Sequence, residues 1–162
     1  MRRLILILIT AFVLLFAAWF FWPFLESPAA QVERQHKELI KLAGQRYWTE
    51  AKALLAEDYE DQWGSRRDDS IELARQVFSG FLALDLQWKT TEVSVNEPVA
   101  KVRGTVHIEG TGPSAQVINN EVNRLKEPWV FTWRKDGWKP SDWKLVSVKN
   151  AELEGIIPSE LK

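Results

Sequence analysis

The sequence contains no cysteine. Disulfides, thiolate nucleophiles, zinc–sulfur centres and a lipidated N-terminal cysteine are all excluded, although the compartment stays open. Histidine occurs only as His36 and His107, so chemistry that needs imidazoles to converge has little to draw on. An excess of one charge is missing too. The first 25 residues carry Arg2 and Arg3 and no acid; from Glu26 onward 19 basic residues face 22 acidic ones, a net charge of −3. That balance provides neither the electrostatic footprint of a nucleic-acid binder nor a polybasic membrane patch. No G-x-S-x-G, P-loop, G-x-G-x-x-G or H-E-x-x-H segment occurs, and Gly110-Thr111-Gly112 alone is a loop rather than a phosphate cradle. Repeats and low-complexity tracts are absent. No metal and no cofactor is expected.

The 162 residues suit one domain with appendages. Leu4 to Trp22 is an apolar run whose only polar member is Thr10. As a helix it would span ~28 Å at ~1.5 Å per residue, close to the ~30 Å hydrocarbon core of a bilayer. Arg2 and Arg3 would hold its start on the cytoplasmic side, with Trp19 and Trp22 in the aromatic belt of the far side. The expectation is a single-pass anchor over residues 1–25 in the cell (inner) membrane, a linker over 26–30 and an extracytoplasmic domain. The rival reading is a cleaved signal peptide, but its apolar region is normally ~7–15 residues, and the small-residue site Ser27-Pro28-Ala29 carries an awkward proline.

Helical spacing follows. Val32, His36, Leu39, Ile40, Ala43, Tyr47, Ala51, Leu54 and Leu55 recur at three and four, which predicts two helices or one helix kinked near Gly44 over roughly 31–56. Glu57 to Arg67 is a connection. Asp69, with Glu72 three residues on, predicts an N-cap for a further helix striped by Ile71, Ala74, Val77, Phe78, Phe81 and Leu82. The remainder is expected to be sheet. Leu86–Val95 is rich in Trp, Thr and Val, and residues 100–109 alternate, with Ala100, Val102, Gly104, Val106 and Ile108 on one face. Gln116–Lys126 is read as polar strand. Pro128–Lys149 holds four of the nine tryptophans; two aromatic, β-branched runs flank Asp136-Gly137 and predict the last hairpin. In it Trp129, Phe131 and Trp133 share one face, as do Trp143 and Leu145, with Val146 and Val148 opposite. Helices followed by strands indicate an α+β domain over residues 31–150, with helices packed on a curved antiparallel sheet and a tail over 151–162.

The segment Ala53-Leu54-Leu55-Ala56-Glu57-Asp58-Tyr59 at the end of the helical region, and the hairpin Trp133-Arg134-Lys135-Asp136-Gly137-Trp138 followed by Asp142-Trp143-Lys144-Leu145-Val146, resemble the NTF2-like (cystatin-like, SnoaL-like) superfamily. More narrowly they resemble its membrane-anchored bacterial members of unassigned role. The resemblance implies a cone between helices and sheet, in a superfamily that holds isomerases, dehydratases, scaffolds and plain binding domains, so activity does not follow from it.

Two uses of the cone follow as expectations. In the first it binds an apolar ligand among Trp48, Trp63, Phe81, Trp88, Trp129 and Trp133, or the sheet pairs with a second copy or an envelope partner. In the second, a ketosteroid-isomerase- or dehydratase-like enzyme sets Tyr47 or Tyr59 beside Asp58 or Asp85, with Glu92 as a further carboxyl. None of these maps onto a superfamily site residue by residue, and a buried tyrosine commonly packs its ring and finds one hydrogen-bond partner. His36 is read as a satisfied, partly buried helix histidine and His107 as a surface or interface residue. The acidic cluster Glu57, Asp58, Glu60 and Asp61 lacks calcium-loop spacing and is read as a solvated turn.

Overall fold

The structure is a computed structural model that describes residues 12, 13, 16 and 26–154. The expected anchor over Leu4–Trp22 and the end of the tail lie almost wholly outside the described residues. Among the described residues, no helix is long and apolar enough to cross a membrane.

Helix α1 (Pro28–Gly44) starts where Ser27 caps it by accepting from the Ala30 amide, with Pro28 in the first turn, where its missing N–H costs nothing. Its stripe buries Val32, His36, Leu39 and Leu42. The chain turns through Arg46, which takes a left-handed φ of 62° and donates from its guanidinium to the Phe81 carbonyl at 2.6 Å. Helix α2 (Trp48–Ala53) and helix α3 (Arg67–Ser79) follow. The kink expected near Gly44 is thus a helix end. Helix α3 begins two residues before Asp69, which lies in its first turn and makes no capping box. Asp61 organises the approach instead: it accepts from the Trp63 and Ser65 amides and from the Ser70 hydroxyl.

The sheet has four antiparallel strands in the order β1-β2-β3-β4: β1 (Ala83–Asn96), β2 (Val99–Thr111), β3 (Trp129–Lys135) and β4 (Trp143–Lys149). Ala100 faces Trp133 and Val102 faces Phe131, which sets their side chains on the inner face under α1. Gly104 has room for no side chain, because a Cβ there would meet the Trp88 indole and the Lys89 carbonyl. The outer edge of β4 is not open: the segment after α2 runs beside it, where the Leu145 amide donates to the Leu54 carbonyl and the Ala56 amide to the Leu145 carbonyl, both at 2.9 Å, and the Glu60 and Gln62 amides donate to the Val146 and Val148 carbonyls.

Three expectations are corrected. Residues 115–123 form helix α4 (Ala115–Asn123), not polar strand. Ala115, Ile118 and Val122 recur at three and four and pack on Phe81 and Ile108 in a second small core. The β3–β4 connection is a seven-residue loop over 136–142 rather than a tight turn at Asp136-Gly137, closed by a bond from the Asp136 amide to the Asp142 carbonyl. Finally, Val146 and Val148 do not share a face. Thr132 pairs with Ser147 and Trp133 with Leu145, so Val146 is an extra residue in β4. A bulge shifts the inward–outward alternation by one, and Val148, opposite Phe131, turns to the core.

Candidate functional site

The inner face of the sheet and the buried stripe of α1 enclose four rings. His36, on α1, lies 4.3 Å from Trp88 at 58°, 4.6 Å from Phe131 at 77° and 6.0 Å from Trp133 at 80°, centroid to centroid. Trp88 and Phe131 meet edge to face at 5.2 Å. His36 and Trp133 are fully buried. Trp88, on the edge strand β1, keeps one side toward solvent and donates from Nε1 to the Thr90 hydroxyl at 2.9 Å.

Among the described residues neither ring nitrogen of His36 has a hydrogen-bond partner, and neither has the Trp133 Nε1–H, although all three atoms are buried. Such groups cost roughly 1–3 kcal/mol each when left unpaired. Burial, with a smaller contribution from the neighbouring Lys37 charge, pushes the His36 imidazole down to about 3, so it is neutral at ordinary pH. A base that weak takes up protons poorly, which argues against general-base work. What the site offers is a tightly packed apolar ring cluster in which a neutral imidazole and an indole N–H are the unpaired hydrogen-bonding groups. His36 is therefore neither partly buried nor satisfied, as the sequence reading had it.

Of the six tryptophans and phenylalanines expected to line the cone, Trp88 and Trp133 meet at His36. Trp48 packs on Phe78 at 5.6 Å, between α2 and α3. Phe81 belongs to the second core, Trp129 is half-buried at the start of β3, and Trp63 is half-buried in the turn before α3. Phe131 and His36 were missed. The signal for Phe131 was present, since it alternates with Trp129 and Trp133; His36 was legible as an apolar-face residue, but its lack of a partner was not.

The groups proposed for catalysis are not brought together. Tyr47 is 55% exposed in the turn after α1. Asp85 is exposed and accepts from Gln87, and Glu92 is exposed and faces Arg103. Tyr59 is buried, and its phenol is pushed well above the ordinary range by burial and then by the Asp61 charge, with the Ser70 hydroxyl bonding to it. Asp58 is exposed and gripped by Arg134, whose two terminal nitrogens donate to its carboxylate at 2.7 and 2.9 Å; Arg134 also donates to Asp136. This bonding holds the Asp58 carboxyl below its usual range. Asp58, Arg134 and Asp136 border a surface pocket of about 530 Å³ with Arg67 and Lys144, whose cations each hold a backbone partner: Arg67 donates from Nε to the Lys52 carbonyl and Lys144 donates to that of Ala53. His107 is exposed beside Glu109. No cluster of three or more metal-binding side chains occurs among the described residues.

No protein-family model matches the chain, and no curated protein matches it in sequence. Solved structures do match in fold. The protein Bd1075 of Bdellovibrio bacteriovorus is 8% identical with a TM-score of 0.57 over 74% of this chain, which spans only 38% of that protein. An NTF2-like protein of Cytophaga hutchinsonii is 14% identical with a TM-score of 0.51, over 72% of this chain and 91% of its own. A candidate scytalone dehydratase of Novosphingobium aromaticivorans is 17% identical with a TM-score of 0.51, over 74% of this chain and 79% of its own. At such identities the likeness is one of fold and not of activity. The chain has the α+β NTF2-like fold, with the His36 ring cluster packed between α1 and the sheet.

Proposed function

We propose that this chain is a membrane-anchored, non-catalytic NTF2-like domain whose cone receives a small, neutral, largely apolar molecule bearing one oxygen acceptor. The apolar run Leu4–Trp22 is the anchor, and the domain lies outside the cytoplasm. The observation that carries the binding role is the set of orphaned polar atoms, His36 Nδ1 and Nε2 and Trp133 Nε1, inside a wall of aromatic rings. A carbonyl or hydroxyl oxygen accepting from Trp133 or His36 would satisfy what the protein leaves unpaired. The neutral imidazole favours an uncharged guest. The four rings touch one another, so entry requires one to move, and Trp88 is the ring with a solvent-facing side.

The rival uses of the domain find less support. Tyr47, Asp58 and Asp85 are all exposed on different elements, which counts against an isomerase or dehydratase built from them. The outward sheet face carries Lys89, Lys101, Arg103, His107 and Glu109, and the bulge takes Val148 away from it, which counts against a dimer held by an apolar sheet face. The test is a thermal-melting screen of the detergent-solubilised chain with homologous ketones, alcohols and alkanes. Ketones and alcohols should raise the melting temperature of the wild type more than alkanes do, and His36→Leu should erase that difference. A wild type that responds to none of them, or a variant that responds as the wild type does, would sink the binding role and leave a water molecule or nothing in the cone.

A further inference from the structure

Trp138 is, among the described residues, the one tryptophan that is exposed, at 74%. It stands on a braced loop. The Asp142 carboxylate accepts from the Lys139 amide at 3.0 Å, the Asp142 amide donates to the Lys139 carbonyl, the Asp136 amide donates to the Asp142 carbonyl, and Pro140 is buried. A large amphipathic ring with most of its surface exposed thus sits on a polar, ordered tip. Indoles in that situation partition to the boundary between water and hydrocarbon, where ring and N–H are both accommodated.

The loop's place in the fold puts that boundary within reach. The start of α1 is fastened to the end of the β3–β4 hairpin: Gln31 Oε1 accepts from Lys135 Nζ at 3.0 Å and from Trp143 Nε1 at 3.4 Å, while Gln31 Nε2 donates to the Glu26 carbonyl at 2.9 Å. Lys135 and Trp143 are the two residues that bracket the loop 136–142. Glu26 follows Trp22, the last residue of the apolar run, by four positions. Four residues reach at most ~14 Å. If Leu4–Trp22 crosses the bilayer, the end of the domain that carries Trp138 lies against the membrane, and its far end, with Arg46, Tyr47 and Phe81, lies a helix length of about 25 Å away, at ~1.5 Å per residue over α1.

We propose that Trp138 seats in the headgroup region of the same bilayer that holds the N-terminal anchor, giving the domain a second contact that sets its tilt. This rests on the anchored reading above. The occupant is the lipid surface rather than a protein, because the tether brings that surface to this end of the domain.

The test uses the full chain labelled with fluorotryptophan in lipid nanodiscs. W138F assigns the Trp138 fluorine resonance, and lipids spin-labelled near the headgroup supply the probe. The expected result is broadening of the Trp138 resonance, while Trp133 and Trp143, both fully buried, stay sharp. Broadening of other resonances on nanodisc-bound chain, with Trp138 left sharp, would overturn the seating while leaving the anchor intact; a water-facing or protein-bound Trp138 gives this outcome. A chain that fails to enter nanodiscs at all would overturn both readings.

Discussion

The imidazole of His36 and the indole of Trp88 lie 4.3 Å apart at the centre of the protein, and the imidazole has no hydrogen-bond partner on either nitrogen. A helix residue read from its spacing as a satisfied core histidine is instead the least satisfied polar group in the core, and its titration should be visible in stability.

The His36 imidazole titrates at about 3 in the fold against an ordinary 6.5. The unfolded chain therefore takes up the extra proton first as pH falls. The stability that His36 contributes as a neutral group is complete above about pH 6.5 and is lost as pH falls from there toward 3, a span on the order of 4–5 kcal/mol at ~1.4 kcal/mol per unit. His36→Leu removes this dependence and should leave stability at neutral pH equal or higher, because an apolar side chain replaces orphaned polar atoms. Urea midpoints from about pH 7 to about pH 4.5 should fall more steeply in the wild type than in the variant. Equal slopes would mean that the imidazole is hydrated or paired in solution.

Arg134 ties β3 to the segment after α2 by a two-pronged grip on Asp58. Both groups are substantially exposed, so Asp58→Asn should cost only about 0.5–1 kcal/mol. The Asp58 carboxyl is held below its ordinary range. Its contribution is thus present above the ordinary carboxylate range and lost as pH falls through the lowered value. The gap between wild type and variant should close in strong acid and shrink in high salt. A gap indifferent to salt would point to packing rather than charge.

Asn123, at the end of α4, bonds both backbone groups of Ile108, accepting from its amide and donating to its carbonyl at 2.8 Å each. Register between β2 and β3 ends at Gly104, so this side chain stands where a neighbouring strand would. Asn123→Ala should cost about 1–3 kcal/mol. Hydrogen exchange at the Ile108 amide should speed up selectively, whereas the Val102 amide should be unchanged. Loss of protection at both amides would mean that α4 supports the whole sheet and not one stretch of β2.

The bulge in β4 makes a test of parity. Val148 packs on the main core while Val146 has no partner in β3. Val148→Lys should lower stability by roughly 2–3 kcal/mol and Val146→Lys by less than about 1 kcal/mol, since only the first forces a charge toward apolar surroundings. Denaturant midpoints decide it. The reverse order would mean that the strand alternates without the extra residue.

The amphipathic stripe of α1, the alternating β2, the aromatic runs of β3 and β4 and the α+β order are all visible in the sequence, because each depends on periodicity within one element. Helix α4 was visible too, in the spacing of Ala115, Ile118 and Val122, but its polar residues masked it. The remainder was decided by the tertiary structure. Asp58 and Arg134 stand 76 positions apart in the chain, and no local pattern joins them. The inward turn of Val148 needs the register against β3. That His36 lacks a partner is a property of the Trp88, Phe131 and Trp133 rings, which come from two other elements, β1 and β3. Sequence sets which face of an element is apolar; which polar atoms on that face find partners depends on what distant segments bring to it.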